Sequence, residues 1–178
     1  MSTQATTAKH EPLLPQREHV QPRPGPEHDW LQQLVGNWET EMECRIEPGD
    51  RPMKAQGTES VRSIGGLWIV AESESSIMDK PMRSILTLGY DFEQKKYIGT
   101  WISSCMTHLW QYEGSVDPAR ETLTLETEGP CPQSPGMVAR FKEVMEVKSR
   151  QHRIFTSSMQ GQDGKWAAIA TINYWRRK

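Results

Sequence analysis

The sequence predicts an all-β protein: an antiparallel up-and-down barrel of about ten strands, preceded by one short helix. Three observations predict it. Helical periodicity is confined to one stretch near residue 30. Beyond it, strand-like runs recur between explicit turn signals. The first and last of these runs also carry side chains that would meet if the sheet closed on itself. A chain of 178 residues suits one domain and can bury a sizeable core.

Residues 1–27 hold five of the twelve prolines, at positions 12, 15, 22, 24 and 26, and no Phe, Trp or Tyr. Such a segment cannot bury enough apolar area to offset its ordering entropy. The expected organisation is therefore a flexible proline-rich arm over 1–27 and a single barrel domain over 28–178. "PEHDWLQQLVG" reads as the helix, with Asp29 as its cap, Trp30 and Leu34 on one face, and Gly36 at its end. The next stretch, "GNWETEMECR", alternates strictly. Trp38, Thr40, Met42 and Cys44 share one face, and Glu39, Glu41, Glu43 and Arg45 the other. The runs that follow are separated by "EPGD" at 47–50, "IGG" at 64–66, "MDKP" at 78–81, "DFEQK" at 91–95, "DPAR" at 117–120, "PCPQSPG" at 130–136 and "GQDG" at 161–164. No long helical stretch remains for crossover connections, so neighbouring strands should be antiparallel.

In an up-and-down barrel with an even number of strands, the last strand runs antiparallel beside the first. The end of "KWAAIATINYWRRK" would then bring Arg176 or Arg177 to Trp38, where a guanidinium can stack on the indole. Gly36, Trp38 and Arg176 are thus the expected closure residues. A short helix, Gly-x-Trp opening the first strand and an Arg near the end of the last resemble the calycin pattern of lipocalins and fatty-acid-binding proteins. The stretches "WLQQLVGNW", "GTESVRSIGGLW", "LGYD…KYIGTW", "LWQYEGSVD" and "LTLETEGP" together resemble the bacterial family catalogued as domain of unknown function 1579, over roughly residues 28–177. That resemblance implies a lipocalin-like barrel and brings no activity with it.

Parity assigns the faces. In "MVARFKEVMEV" the inward set reads Met137, Ala139, Phe141, Glu143, Met145 and Val147. His108, Trp110 and Tyr112 share a face, as do Trp166, Ala168, Ala170, Ile172, Tyr174 and Arg176. The expected lining is aromatic and methionine-rich with few polar groups, as an apolar small-molecule site requires. An inward Trp, Met or Tyr is nonetheless a packing residue more commonly than a ligand contact. Glu143 is the informative exception, because an inward charge must be paired, protonated or hydrated. His108 and Tyr112 follow, each with a polar tip that needs a partner. Glu59 and Arg62 are candidate partners, although the parity of their strand, and of the one after it, stays open.

The leading functional expectation is a binding module that holds a small, largely apolar or amphipathic molecule. Its lumen candidates are Glu143, His108, Tyr112, Trp110, Phe141, Met145 and Met42. One alternative is an enzyme acting on a small acid through the same Glu, His and Tyr groups. The other is a structural or interaction protein with a filled barrel. No cofactor is expected. Haem, weighed because the nitrobindin-like branch of calycins binds it through a late-strand histidine, would have only His108 and His152 outside the arm and helix, and residues 165–178 contain no histidine. No metal site is expected either: the cysteines and histidines lack ligand spacing, and Cys44, Cys105 and Cys131 read as ordinary thiols.

A net charge of −2 gives no electrostatic case for nucleic acid or an anionic membrane. No apolar run approaches the roughly 20 residues that span a bilayer. The N-terminal stretch lacks the apolar core of a signal peptide, which makes the cytoplasm the expected compartment. "YIGTWISS" and "AAIATINYW" are apolar on both parities: Ile98 and Ile102 stand opposite Tyr97 and Trp101, and Ile169 and Trp175 opposite Ile172 and Tyr174. The outer faces of these two strands are therefore expected to build a homodimer.

Overall fold

The computed structural model describes residues 22–45, 51–77, 80–119 and 121–178. The expected arm, up to residue 21, and the turn at 47–50 lie outside the described residues, as do Met78 and Asp79 of the "MDKP" turn. One short helix, α1 (Pro26–Gln32), leads into ten strands: β1 (Gly36–Cys44), β2 (Met53–Ile64), β3 (Trp68–Ile77), β4 (Lys80–Asp91), β5 (Lys96–Ser103), β6 (Trp110–Val116), β7 (Thr122–Pro130), β8 (Val138–Ser149), β9 (His152–Gln160) and β10 (Trp166–Arg176). Each strand pairs antiparallel with its sequence neighbours, and β10 pairs with β1 to close the barrel. Among the described residues, no helix is long and apolar enough to cross a membrane.

Closure follows from the two ends of the chain. Trp38 and Arg176 are cross-strand partners, and the guanidinium lies 4.2 Å from the centre of the indole ring. Arg176 also donates to the carbonyls of Val35 (2.7 Å), Gln33 (2.9 Å) and Arg150 (2.7 Å). One side chain thus ties β10 to the helix exit and to the β8–β9 turn. Trp38 Nε1 donates to the Leu34 carbonyl at 2.9 Å, which satisfies its buried N–H. Gly36 has φ +139°, a conformation that side-chain-bearing residues rarely adopt, and a Cβ there would collide with the Arg176 guanidinium.

At seven residues, α1 is too short to be stable alone. It is held by burying Trp30 and Leu31, with Leu34 just beyond it, in the barrel mouth among Val61, Ile69, Leu88 and Tyr97. Each such large apolar side chain contributes on the order of 1.5–3 kcal/mol. Asp29 is not the cap. Gly25 is the N-cap, its N–H donates to His28 Nδ1 at 3.1 Å, and Pro26 opens the helix, so α1 begins one turn earlier than the Asp29 reading placed it.

The registers resolve the parities that sequence left open. Trp38 faces Glu59, Glu59 faces Ser73, and Ser73 faces Ser84, which places Glu59, Ser73, Ser75 and Ser84 on the inner side. One expected face is corrected. A bulge between Ala168 and Ala170 shifts the register of β10 against β9. Ala170, Ile172 and Tyr174 point inward as expected, but Trp166 and Ala168 fall on the outer side, where Lys142 lies over the Trp166 ring. Ile169 instead packs against the inner cluster of Trp110, Phe141 and Met159. Met137 precedes β8 and is exposed, so the inward series begins at Ala139.

Candidate functional site: the polar lumen

The two ends of the barrel differ. At the α1 end the inward residues Trp38, Val61, Ile69, Ala71, Leu88, Leu123 and Met145 are buried and form one continuous core. Further up, Thr40, Met42, Ser73, Ser75, Leu86, Trp101, Tyr112, Phe155, Ser157 and Ile172 also point inward by register, yet all remain only half-buried. Packing therefore seals the α1 half, while above it Trp110, Phe141 and Met159 form a second, smaller buried cluster and the inward residues just named stay partly exposed.

The lining is less apolar than expected. One wall carries small hydroxyls, Thr40, Ser73, Ser75 and Ser84. The facing wall carries Trp110, Tyr112, Phe141 and Met159. The hydroxyl wall is spelled out in "ESESS" at 72–76, where glutamates alternate with serines, but two polar faces give parity nothing to separate.

At the floor of the upper half lies an ion pair that sequence reading missed. Arg153 is 2% exposed and Glu59 6%, and their charged ends are bonded directly. Glu59 also accepts from Ser73 Oγ at 3.0 Å. The Arg153 guanidinium lies 4.1 Å from the Tyr174 ring centre and 4.7 Å from that of Trp38, and Arg153 Nη1 approaches Met145 Sδ at 3.5 Å. The charge is thus paired and stacked, the arrangement in which a buried arginine is tolerated. Glu59 serves Arg153 and not Glu143, while the other proposed partner, Arg62, lies outside near Glu72 at 3.7 Å. The alternation Arg153, Phe155, Ser157, Met159 was the available signal. Ile154 on the opposite parity masked it.

Glu143 faces the lumen from β8, 6% exposed. Ser157 Oγ donates to its Oε1 at 3.0 Å, and its Oε2 has no partner. Burial pushes its carboxyl up to about 8, against the opposing pull of the Ser157 hydrogen bond, so it is largely protonated at neutral pH. Burial, reinforced by the Glu143 carboxyl, also raises the Tyr112 hydroxyl, which places the two side chains in one electrostatic neighbourhood. Tyr174 is raised by burial and by Glu59, with Arg153 acting the other way.

The remaining candidates separate by height. Met42 stands half-buried on β1 opposite Ala55 and Ile172. Trp110 and Phe141 pack edge-to-face at 4.9 Å near the open end. His108 belongs to the loop between β5 and β6 rather than to a strand. Its ring stands 4.9 Å from Trp110, and its buried Nε2 lacks a partner. Met145 belongs to the sealed core. The structure therefore gathers Glu143, Tyr112 and Met42 around the upper lumen, sets His108, Trp110 and Phe141 at its open end, and withdraws Met145.

His152 is on the outer side, stacked on Trp175 at 3.8 Å and hydrogen-bonded to Asn173 Oδ1 at 2.9 Å, so it cannot reach a group held in the lumen. Among the described residues no group of three His, Cys, Asp or Glu side chains is placed to hold a metal ion. Cys44, Cys105 and Cys131 are free thiols, and burial raises that of Cys44, which makes it less reactive.

A family model described as a protein of unknown function, DUF1579, matches residues 23–176. No curated protein matches the chain. Two solved structures share the fold at low identity. An S-type phycobiliprotein lyase from Guillardia theta is 13% identical with a TM-score of 0.56, over 84% of this chain and 92% of that one. The M. tuberculosis protein Rv2717c is 12% identical with a TM-score of 0.57, over 87% of this chain and 99% of that one.

Proposed function

The chain belongs to the DUF1579 family of unknown function, so its activity has to be read from its own lumen, and we propose that it is a binding module for a small, largely apolar molecule. One observation carries this reading: Thr40, Met42, Ser73, Ser75 and Ala170 face inward above the sealed α1 half and are only half-buried, although Tyr112, Phe155 and Ile172 near them pack on the core. A filled barrel would bury both sets alike. Glu143, Tyr112 and His108 supply the polar anchors, and Met42, Trp110 and Phe141 the apolar surface. The likeness to the Guillardia theta lyase supplies the fold and no chemistry. The cytoplasm is the expected compartment.

The proposed protein is a homodimer, with the interface narrowed from the sequence expectation. β5 and β10 lie on opposite sides of the closed barrel and cannot share one two-fold patch. Ile169 turns inward at the bulge, which reduces the outer apolar surface of β10 to Trp175, 46% exposed with His152 stacked on one face. What supports an interface is Ile102 of β5 beside its cross-strand partner Ile85 of β4, respectively 46% and 40% exposed on the outer side.

Native mass spectrometry of freshly purified protein tests both parts. A two-subunit species that carries a small apolar molecule per barrel is expected, and Ile102→Glu should give a folded monomer that retains the molecule. Ligand-free protein that also takes up no member of a panel of fatty acids, aromatic acids and porphyrins would remove the binding reading. A wild type monomeric at micromolar concentration would remove the dimer.

A further inference from the structure

The barrel wall is incomplete between β6 and β7. Their pairing runs only from Glu113 opposite Glu126 to Val116 opposite Leu123. Above it, Gln111 and Tyr112 pair with β5 alone, while Thr127 and Glu128 pair with β8 alone. The strands part where two glutamates face each other directly, a like-charge cross-strand contact that opposes pairing. A cleft of about 430 Å³ occupies the gap, and it is lined by outward residues together with the inward-facing Tyr112 and Thr127. The cleft thus reaches the inner layer of the wall at Tyr112 and Thr127, while Trp110 of β6 packs across its upper end against Gly129 of β7.

Charge around the cleft is biased. Glu113, Glu126 and Glu128 stand on its rim with Arg140. Lys96 binds Glu113 at 2.9 Å and Arg140 binds Glu126 at 3.1 Å, which leaves Glu128 with only a 4.0 Å approach from Arg140. Inside, Arg153 and Glu59 pair with each other, although Arg153 Nε keeps no partner, and among the described residues Glu143 has no counter-charge and an unpartnered Oε2. The groups that surround it are Tyr112 from β6, Tyr174 from β10 and Ser157 from β9, with the Arg153–Glu59 pair below. β7 presents Leu125 and Thr127. None of these supplies a cation to Glu143.

We propose that the lumen takes a largely apolar amine, whose cationic head passes the acidic rim between β6 and β7 and lodges against Glu143. This rests on the lumen-binding reading above and names its ligand class. A bound ammonium supplies the missing counter-charge and hydrogen-bond donor, and Glu143 releases its proton as the complex forms. Affinity for an amine should accordingly rise with pH from 6 to 8.5, as Glu143 gives up its proton more readily. A carboxylate ligand would show the opposite slope.

Decylamine, decanol and decanoate share one chain and differ in head group, and calorimetric titration with each at pH 7.5 separates the possibilities. Decylamine should bind at least tenfold more tightly than the other two, and Glu143→Gln should abolish that preference. Because Glu143→Gln could perturb the fold, the exposed rim variant Glu128→Lys provides an independent arm. It should slow decylamine association severalfold at low salt and leave decanol association unchanged. Equal or tighter binding of decanol or decanoate, a preference that survives Glu143→Gln, or a decylamine association rate unaffected by Glu128→Lys would each overturn the inference while leaving lumen binding intact. Failure of all three ligands to bind would overturn both.

Discussion

Trp38 is held from three directions: by the Leu34 carbonyl on its N–H and by the guanidinium groups of Arg176 and Arg153 over its ring. Trp38→Ala should cost about 3–5 kcal/mol, the range for losing a large buried aromatic. Arg176→Ala should cost less, and the two losses should be non-additive because the side chains touch. Denaturant titration of a double-mutant cycle measures this, and strictly additive energies would contradict stacking. Glu143 makes a second prediction at this scale. Below its ordinary value of 4.5 the carboxyl is protonated whether the chain is folded or not. As pH rises, the unfolded chain releases the proton first while the folded one keeps it, so stability falls until about pH 8 and then levels off. Glu143→Gln removes that slope. The variant should match wild type near pH 4 and exceed it by on the order of a few kcal/mol near pH 8. Parallel stability curves for the two proteins would contradict the burial of this carboxyl.

At the scale of elements, legibility depended on contrast between the two faces of a strand. β1 alternates apolar with charged residues and β8 nearly so, and their inward sets from Trp38 and Ala139 onward were readable without coordinates. β3 sets serine against glutamate and β9 sets Phe155 against Ile154, so parity had nothing to act on and Arg153 went unseen. The bulge in β10 interrupts a run of small residues, "AAIA", that gives no sign of where the register slips. The helix cap was misplaced because Asp29 is a good capping type, whereas Gly25 followed by Pro26 was the operative signal. Close approach between elements also leaves a testable trace. Gly129 on β7 lies so near Trp110 on β6 that an added Cβ would run into the indole ring. Gly129→Ala should displace Trp110 from Phe141, change the indole emission and cost about 1–3 kcal/mol. A variant within 0.5 kcal/mol of wild type, the range of a neutral surface change, would show that the ring has room to yield.

For the molecule as a whole, the barrel was legible because one chemical pattern had to serve both ends: Gly36 and Trp38 at the start, Arg176 at the finish, and turn signals at strand-length spacing between. The site was only half legible. Sequence placed Glu143 and Tyr112 inside, but it could not show that packing is continuous beside α1 and only partial above it, because that follows from how deep α1 plugs one mouth. The claim that joins fold to function is that this upper half receives a ligand. Titration with Nile red, a neutral apolar fluorophore, tests it most directly when wild type is compared with Ala170→Trp, which places bulk at an inward, half-buried position beside Ser157. Wild type should bind one dye per subunit saturably, and Ala170→Trp should lose at least tenfold in affinity with an unchanged far-UV spectrum and Tm. A wild type without saturable binding, or a folded Ala170→Trp that binds as well, would contradict an open lumen.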